Sequence, residues 1–341
     1  MTVSFVIPTW NRSDLLQAAL ASLRAQTRPP LEILVVDNGS TDGSAETARR
    51  AGAEVLEVGA NLGGNQGFSA AVNRGVAAAR GDAIALLNND VECAPDWTDR
   101  LASALATTNA WFAIGKLLDH GRRDHIDGAG DAVCRGGAAC RLGHGRTDGP
   151  WFDRSRRTFF PSATAVLARR EFFSRVGPLE EAFFAYLEDV DLGLRAALLD
   201  LAGVYEPAAI AWHRGSATLG PWNSRTVEWM TRNQILLLAK FFPAPLLRRY
   251  RRPIAAAQLL WAVLALRHGR SVAWARGLYA GLQQAPALRR ATASFRDDGN
   301  RLATILSKSE RELVSFQQAT GWDRYWRWYC RLAPLGRETH R

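Results

Sequence analysis

Residues 3–37 decide the fold, and they read VSFVIPTWNRSDLLQAALASLRAQTRPPLEILVVD. The stretch opens with the β-rich apolar run Val3–Ile7 and continues with apolar residues at helical spacing over Asp14–Gln26. A second β-rich run follows at Ile33–Val36. A strand, a helix and a second strand in this order predict two parallel strands joined by a right-handed helical crossover.

The same alternation continues to residue 118. Further strands are predicted at Glu54–Val58, Ala83–Leu87 and Trp111–Leu117, and further helices at Ala45–Ala51, Phe68–Arg80 and Asp96–Thr107. Residues 119–158 are rich in Gly, Arg, His and Asp, which indicates loops or short hairpins. The pattern then predicts a strand at 159–168, helices at 169–176, 188–201 and 226–242, and a short strand over 203–205 and 209–211. We therefore expect an α/β fold with a mostly parallel sheet and helices on both faces.

Polar residues follow the predicted strands, at the edge where parallel sheets bind their ligands. Pro8, Thr9 and Asn11 end the first strand, and Asp37 and Asn38 end the second. The Asp37 carboxylate is suited to accept hydrogen bonds from a nucleobase or a ribose hydroxyl. A turn residue that bonds its own backbone is the equally weighted alternative.

A glycine-rich turn at 61–67 leads into the third predicted helix, which contains Asn73. Backbone amides at such a helix N-terminus bind phosphates or sugar hydroxyls. The spacing matches neither the P-loop nor the G-x-G-x-x-G fingerprint, which disfavours mononucleotide kinases and dinucleotide enzymes.

The triplet Asn88-Asn89-Asp90 follows a buried strand. A divalent cation that bridges a diphosphate needs only one or two carboxylates from the protein, and Asp90 suits that role. The alternative is a simple turn before the helix that follows.

Adjacent carboxylates, Glu188 and Asp189, come after an aromatic run at a predicted helix start. They suit either the positive end of the helix dipole or a general base whose proton affinity is raised by a like charge and an apolar wall. Asp191 and Arg195 are four residues apart and are expected to pair, which favours a structural role. His213 follows the last strand, and a lone histidine is by default not a ligand.

Five motifs occur in a fixed order: VIPTWNR at 6–12, VVDNGSTD at 35–42, the segment 61–75, LNND at 87–90 and EDVDL at 188–192. Over residues 2–242 this series resembles glycosyltransferase family 2, the inverting nucleotide-sugar transferases of GT-A fold. Within the family it is similar to the bacterial rhamnosyltransferase-like branch. The resemblance implies a GT-A catalytic domain over residues 1–242.

The resemblance also implies roles for single residues. The nucleotide-sugar would contact residues after the first four strands: Pro8, Thr9, Asn11, Asp37, Asn38, Gly67, Asn73 and Asn89. Asp90 and His213 would hold Mg²⁺ or Mn²⁺, and Asp189 would be the catalytic base with Glu188 beside it. The family's D-x-D motif is reduced here to Asn88-Asn89-Asp90, which leaves a single acidic ligand.

Composition excludes several protein classes. With 47% hydrophobic and 22% charged residues, the chain is neither a disordered tail, a collagen-like repeat nor a disulfide-stapled miniprotein. It contains no run of about 18 uninterrupted apolar residues, the length that a membrane-spanning helix needs. The N-terminus lacks the pattern of a signal peptide, so we expect a cytoplasmic protein.

The positive charge is concentrated at the C-terminal end. Residues 231–341 hold 20 Lys+Arg and 6 Asp+Glu, a net +14, whereas the first 230 residues hold 23 and 27, a net −4. This predicts that residues 243–341 form a basic, amphipathic helical extension with an anionic partner, and its aromatic and apolar texture favours the inner face of the plasma membrane. A helical subdomain with solvated arginines is the alternative.

The sequence thus predicts an inverting transferase that moves a hexose or deoxyhexose, with L-rhamnose from dTDP-rhamnose as the first candidate. Its acceptor is expected to be a hydroxyl on a lipid-linked cell-surface glycan. A catalytically silent nucleotide-sugar binder or scaffold is an alternative. A nucleic-acid-binding protein that uses the basic extension is a weaker alternative, because the apolar and aromatic texture of that extension favours a membrane. No nucleic-acid partner is expected.

Overall fold

The computed structural model describes residues 1–58, 64–215, 220, 222–295 and 299–335. The chain divides into two compact units. The first unit comprises Met1–Asp131 and Arg141–Pro221, and the second comprises Ala132–Cys140 and Trp222–Arg341.

The first unit alternates strands and helices as the sequence predicts. Its strands, together with a hairpin shared with the second unit, are β1 (Val3–Thr9), β2 (Glu32–Asp37), β3 (Glu54–Glu57), β4 (Ala83–Leu87), β5 (Val91–Cys93), β6 (Phe112–Asp119), β7 (Ile126–Gly128), β8 (Asp131–Val133), β9 (Ala139–Arg141), β10 (Arg156–Thr158), β11 (Ala165–Arg169) and β12 (Gly203–His213). Its helices are α1 (Ser13–Arg24), α2 (Ser44–Arg50), α3 (Phe68–Ala78), α4 (Trp97–Thr108), α5 (Arg170–Val176) and α6 (Glu188–Leu198).

One large sheet forms the centre of this unit, in the order β10-β12-β6-β11-β4-β1-β2-β3. The β3-β2-β1-β4 half is parallel, and β6 and β12 are parallel to each other. Strand β11 runs antiparallel between β4 and β6. Strand β5 pairs with β12, and β7 pairs with β6.

Helices cover the sheet, so β1, β2 and β4 are buried along their whole length. This burial explains their continuous apolar sequences, since a strand covered on both faces needs no polar alternation. Helix α3 lies very close to the sheet at Gly75, where a Cβ atom would come within 2.3 Å of Val6 Cγ1. The close approach therefore requires glycine.

Three short features differ from the sequence predictions. The strand predicted at 159–168 forms only from Ala165 onward, as β11. Strand β5 was not predicted, because three residues are too few for a recognisable pattern. The two predicted pieces at 203–205 and 209–211 form one strand, β12, whose register shifts between Glu206 and Ile210. Pro207 lies in this shift, where its missing N–H interrupts no ladder bond.

The predicted pair of Asp191 and Arg195 is present in α6. Arg195 Nε donates to Asp191 Oδ2 at 2.9 Å, and the two side chains are 3% and 0% exposed. A second guanidinium nitrogen donates to the carbonyl oxygen of Val176 at 2.6 Å. The pair therefore joins α6 to the end of α5.

We expect Asp191→Ala to destabilise the fold by about 3–5 kcal/mol, because it leaves a buried guanidinium without its carboxylate. Urea unfolding followed by circular dichroism measures this loss. Asp96→Ala is the matched control, since Asp96 forms an i,i+4 pair with Arg100 on the surface. It should cost less than about 1 kcal/mol. Equal losses in the two variants would contradict a structural role for the Asp191 pair.

The second unit is helical apart from the segment 132–140. Its helices are α7 (Ser224–Phe241), α8 (Ala244–Arg249), α9 (Arg251–Arg267), α10 (Ser271–Ala291), α11 (Asn300–Thr320) and α12 (Arg324–Leu332). Helices α7 and α10 pack closely through two glycines: a Cβ atom on Gly277 would meet the carbonyl oxygen of Glu228 at 2.3 Å, and one on Gly281 would meet Ile235 Cβ at 2.9 Å.

The boundary between the two compact units does not coincide with the predicted domain boundary near residue 242. Helix α7 and residues 132–140 belong to the second unit, although the sequence assigned both to the catalytic domain. How far the catalytic domain extends in function stays a prediction. Among the helices in the described ranges, none combines the length and the apolar character that a membrane crossing requires.

Candidate functional site

The ends of β1 and β2 lie side by side, as the motif positions predict. Thr9 is paired with Asp37 in the parallel ladder. Asp37 Oδ1 accepts from the backbone N–H of Ser40 at 3.0 Å, and Asn11 Oδ1 accepts from Thr41 N at 2.9 Å. The Asn11 N–H donates to Ser40 Oγ at 2.8 Å. The side chains of Asp37 and Asn11 therefore fix the conformations of the two loops. This agrees with the alternative in which Asp37 is a turn residue that bonds its own backbone.

Asn38 fixes the loop that precedes α3. Its Nδ2 donates to Asn65 Oδ1 and to the carbonyl oxygen of Gly67, at 2.8 and 2.9 Å, and its Oδ1 accepts from Gln66 N at 2.9 Å. Gly67 has a positive φ of 96°, and a Cβ atom there would come within 2.7 Å of the Phe184 ring. Residues 61–63 of the predicted glycine-rich turn lie outside the described residues.

Three more predicted donor-site residues have defined places. Pro8 is buried in β1 opposite Val36. Asn89 Nδ2 donates to the carbonyl oxygen of Asn11 at 3.3 Å, which joins the loop after β4 to the loop after β1. The Asn73 carboxamide bonds Leu179 through both its atoms, with Leu179 N at 2.8 Å and the Leu179 carbonyl oxygen at 2.9 Å. These contacts give Asn73 a structural function in the loop before α6.

Strand pairing brings Asp90 and His213 together. Strands β5 and β12 run antiparallel with Val91 opposite His213, and Arg214 N donates to the carbonyl oxygen of Asp90 at 3.1 Å. Asp90 Oδ1 lies 3.3 Å from His213 Nε2, an ion-pair contact without hydrogen-bond geometry. In the described part of the chain this buried oxygen has no hydrogen-bond donor. Two residues far apart in sequence therefore form one polar corner.

Asp127 orients the His213 ring from the opposite side. Asp127 Oδ2 lies 2.8 Å from His213 Nδ1, and both side chains are buried. The two residues meet because β7 and β12 both pair with β6 at its carboxyl end. A proton on Nδ1, shared with Asp127, leaves Nε2 directed at Asp90.

The charges of this corner depend on one another. Burial disfavours the imidazolium of His213, but its contacts with Asp127 and Asp90 outweigh burial and raise its pKa to about 9. Burial likewise opposes ionisation of Asp127, yet Arg141, His144 and His213 hold the pKa of this carboxyl well below its usual range. Asp127 is thus ionised throughout the physiological range of pH.

The hairpin β8-β9 contributes Asp131 and Arg141. Backbone bonds from Cys134 N to Ala138 O and from Leu142 N to Gly130 O place Asp131 directly opposite Arg141. Arg141 donates to Asp127 Oδ2 and to Thr164 Oγ1, each at 3.1 Å. Its positive charge also acts on Asp131 and Asp189.

Glu188 and Asp189 open α6 directly after a strained turn. Phe184, Tyr186 and Leu187 all have φ between 63° and 70°, a left-handed conformation that side chains rarely adopt. Such strain persists where the surrounding structure fixes it, and it is concentrated at functional sites. Asp189 Oδ1 accepts from Val190 N at 2.8 Å. Glu188 is buried, and its Oε2 has no hydrogen-bond partner among the described residues.

Burial raises the proton affinity of three carboxyls in this region: Glu188, Asp189 and Asp131. Burial, followed by the neighbouring charge of Asp189, raises the pKa of Glu188 to about 8. Burial also raises the pKa of Asp189, while Arg141 opposes the rise. Burial and the charge of Asp189 raise the pKa of Asp131 to about 7. The Glu188 carboxyl is therefore largely protonated at neutral pH.

One polar network thus includes both carboxylates on which the sequence hypothesis depends. Asp90 contacts His213, His213 contacts Asp127, and Asp127 contacts Arg141. Arg141 in turn interacts electrostatically with Asp189. Asp37 ends β2, and Asn11, Asn38 and Asn89 lie in the loops after β1, β2 and β4.

Sequence reasoning missed the connecting residues of this network: Asp127, Asp131, Arg141 and His144. All four lie within 119–158, where no periodicity guides assignment. A usable signal was the density of titratable side chains in a segment bounded by predicted strands. Their pairing depends on the short strands β7, β8 and β9, which have three residues each.

Comparison with known proteins assigns the class. The profile described as glycosyl transferase family 2 matches residues 4–177. An N-acetylglucosaminyl-diphospho-decaprenol L-rhamnosyltransferase of Mycobacterium tuberculosis is 31% identical over 239 residues, which are 63% of this chain and 76% of the relative. The chain belongs to glycosyltransferase family 2 and is a glycosyltransferase. The mycobacterial relative agrees with the predicted rhamnosyltransferase-like branch.

Two solved structures share the fold. The structure of GalNAc-T7 with UDP, GalNAc and Mn²⁺ superposes with a TM-score of 0.57 at 14% identity, covering 77% of this chain and 52% of that one. The mannosyltransferase PcManGT from Pyrobaculum calidifontis, in complex with GDP-Man and Mn²⁺, gives a TM-score of 0.50 at 16% identity and covers 96% of this chain and 85% of that one. The predicted GT-A fold class is confirmed.

Proposed function

We propose that this glycosyltransferase moves a hexose or deoxyhexose from a nucleoside-diphosphate sugar to an acceptor hydroxyl in one inverting displacement. The observation that carries the proposal is the polar network from Asp90 through His213, Asp127 and Arg141 to Asp189. It links an orphaned buried carboxylate oxygen, suited to a cation, with a carboxylate of raised proton affinity, suited to a base.

The Asp90 corner fits a divalent cation that is bound chiefly by the donor. The described residues contain no group of three or more His, Cys, Asp and Glu side chains arranged to hold a metal ion. Asp90 Oδ1 and His213 Nε2 would therefore be the protein ligands, and diphosphate oxygens and water would complete the shell. Bound there, Mg²⁺ or Mn²⁺ would neutralise charge on the leaving diphosphate. Asp127 would keep His213 Nε2 directed at that position.

Asp189 is the proposed general base. Its carboxylate takes the proton of the acceptor hydroxyl while that oxygen forms a bond to the anomeric carbon. The bond from the anomeric carbon to the diphosphate oxygen breaks, and its electron pair leaves with the nucleoside diphosphate. Burial raises the pKa of Asp189, and the charge of Arg141 opposes this rise, so Arg141 favours the ionised form that acts as a base.

The donor is proposed to bind over the loops after β1, β2 and β4. Asn38 and Asn89 position these loops through backbone contacts, and Thr9, Asn11 and Asp37 present polar groups at the same strand ends. Gly67 leaves room for the Phe184 ring, which precedes α6. Asn73 holds the loop that leads to α6. Pro8 supports the end of β1 from within the sheet.

L-rhamnose from dTDP-rhamnose is the proposed donor, and a lipid-linked glycan is the proposed acceptor. The support is the mycobacterial relative, whose name specifies L-rhamnosyl transfer and an N-acetylglucosaminyl-diphospho-decaprenol. A location in the cytoplasm remains a prediction from the sequence.

A panel of nucleotide-sugars tests the proposal. We expect dTDP-rhamnose with Mn²⁺ to raise Tm by several degrees, since a ligand at about 100 times its Kd adds about 2.7 kcal/mol of stability. UDP-glucose, UDP-galactose and GDP-mannose serve as comparison donors. We also expect slow release of dTDP that EDTA stops. Stabilisation without any release would favour the catalytically silent alternative, and no response to any donor would overturn the proposal.

A further inference from the structure

The outer face of α12 combines arginine with large apolar side chains. Five exposed residues recur at helical spacing: Arg324, Arg327, Trp328, Arg331 and Leu332. Trp328 and Leu332 are 50% and 48% exposed. The Arg331 guanidinium lies over the Trp328 ring, 5.1 Å from its centroid. We call these five residues the α12 outer face.

The opposite face of α12 fixes the helix within the second unit. Trp326 and Tyr329 are buried there, and Tyr325 donates from its hydroxyl to the carbonyl oxygen of Ala257 on α9 at 3.0 Å. Tyr329 also lies 3.3 Å from the buried carboxylate of Glu310 on α11. The α12 outer face is therefore held on a packed helix and presented to solvent.

Helices α9 and α10 expose apolar stripes of their own. Leu259, Val263 and Leu266 recur at i, i+4 and i+7 on α9, with exposures of 59%, 38% and 65%. Val272, Tyr279 and Leu282 share one face of α10 and are 58–65% exposed. Among the described residues of the first unit, the exposed side chains of this size are scattered: Met1, Leu31 and Leu199. The exposed apolar residues thus concentrate on the helical unit.

Charge on the same helices has one sign. Residues 229–296 contain twelve Lys+Arg and no Asp or Glu, and α12 has three arginines and no acidic residue. A surface of this kind lacks the acidic partners that would neutralise it within its own helices. It suits a planar anionic partner with an apolar interior below the charged layer.

We infer that the α12 outer face docks the enzyme on the surface of an anionic lipid bilayer. Trp328 and Leu332 enter the boundary between headgroups and acyl chains, while the three arginines contact lipid phosphates. A nucleic acid would bind the arginines and gain nothing from an exposed leucine. The inference goes beyond sugar transfer and does not depend on the identity of the donor.

Co-sedimentation of the full chain with vesicles tests this inference. We expect binding to vesicles of equal parts phosphatidylcholine and phosphatidylglycerol at 50 mM salt, and little binding to phosphatidylcholine alone. The double variant Trp328→Ser/Leu332→Ser should bind at least tenfold more weakly. The triple variant Arg324→Gln/Arg327→Gln/Arg331→Gln should also bind at least tenfold more weakly, because each arginine near such a surface contributes about fivefold.

The matched control is Leu31→Ser/Leu199→Ser in the first unit. These leucines are 49% and 48% exposed, so the control replaces two large apolar side chains of similar fractional exposure away from α12. It should bind vesicles as the unchanged protein does. Circular dichroism melts check that all variants fold.

Four outcomes would overturn the inference. The first is equal binding by the α12 variants and the control, and the second is equal binding to neutral and anionic vesicles. The third is salt-dependent binding to duplex or single-stranded DNA that survives Trp328→Ser/Leu332→Ser, together with no binding to vesicles. The fourth, concentration-dependent dimers that disappear in the α12 variants, again without vesicle binding, would assign the face to a second copy.

Discussion

Asp189→Asn is expected to lower kcat by about 10²–10⁴-fold, the range that a positioned general base contributes. Asparagine keeps the size of the side chain but has no basic carboxylate to take the acceptor proton. Because Asp189 is assigned to the acceptor side, the dissociation constant of the donor should change less than threefold. Steady-state kinetics and calorimetric titration of the donor separate the two effects.

Glu188→Gln is the matched control for this variant. The pKa of Glu188 is raised to about 8, so this side chain is mostly neutral at pH 7 and glutamine closely imitates it. We expect kcat to fall less than fivefold. A large loss in Glu188→Gln with little loss in Asp189→Asn would transfer the role of base to the glutamate.

Asp90→Asn is expected to reduce kcat/KM by about 10²–10³-fold, because a bound cation supplies several kcal/mol of charge stabilisation to the departing diphosphate. The buried Oδ1 atom of Asp90, which lacks a hydrogen-bond donor in the described part of the chain, is the proposed ligand. The apparent affinity for Mn²⁺ in the presence of nucleoside diphosphate should fall at the same time. Mn²⁺ titration followed by electron paramagnetic resonance measures this affinity.

Glu92→Gln is the control for Asp90→Asn. Glu92 lies two residues further along β5 and pairs with Arg214 at 3.1 Å and with His120 at 3.0 Å. The Glu92→Gln variant removes a nearby carboxylate that is not assigned to the cation. We expect kcat/KM to change less than threefold. Unaltered Mn²⁺ affinity in Asp90→Asn would exclude Asp90 as the ligand.

The sequence specified the first half of the fold well because each strand and helix there has a strong local pattern. Residues 3–37 contain a complete strand–helix–strand unit, and β1, α1 and β2 follow it within two residues at each end. The Asp191–Arg195 pair was likewise predictable, since a spacing of four within one helix fixes the contact locally.

The connecting part of the site was not predictable in the same way. Asp127, Asp131 and Arg141 depend on three-residue strands whose pairing is set by tertiary contacts, which local propensity does not encode. The motif positions Asp90, Asp189 and His213 were identified by resemblance. Their joining through Asp127 and Arg141 emerged only from the three-dimensional arrangement.

The hairpin that carries Asp131 and Arg141 has a consequence for modularity. Its tip, Ala132–Cys140, is anchored among the C-terminal helices, where Val133 N donates to Ser309 Oγ and Arg135 forms a bidentate pair with Glu310. Excising those helices would deprive the tip of its anchors and loosen the strand that ends in Arg141. The C-terminal helices therefore do not form a module that can be removed alone. A chimera that exchanges them between relatives would have to exchange the hairpin as well.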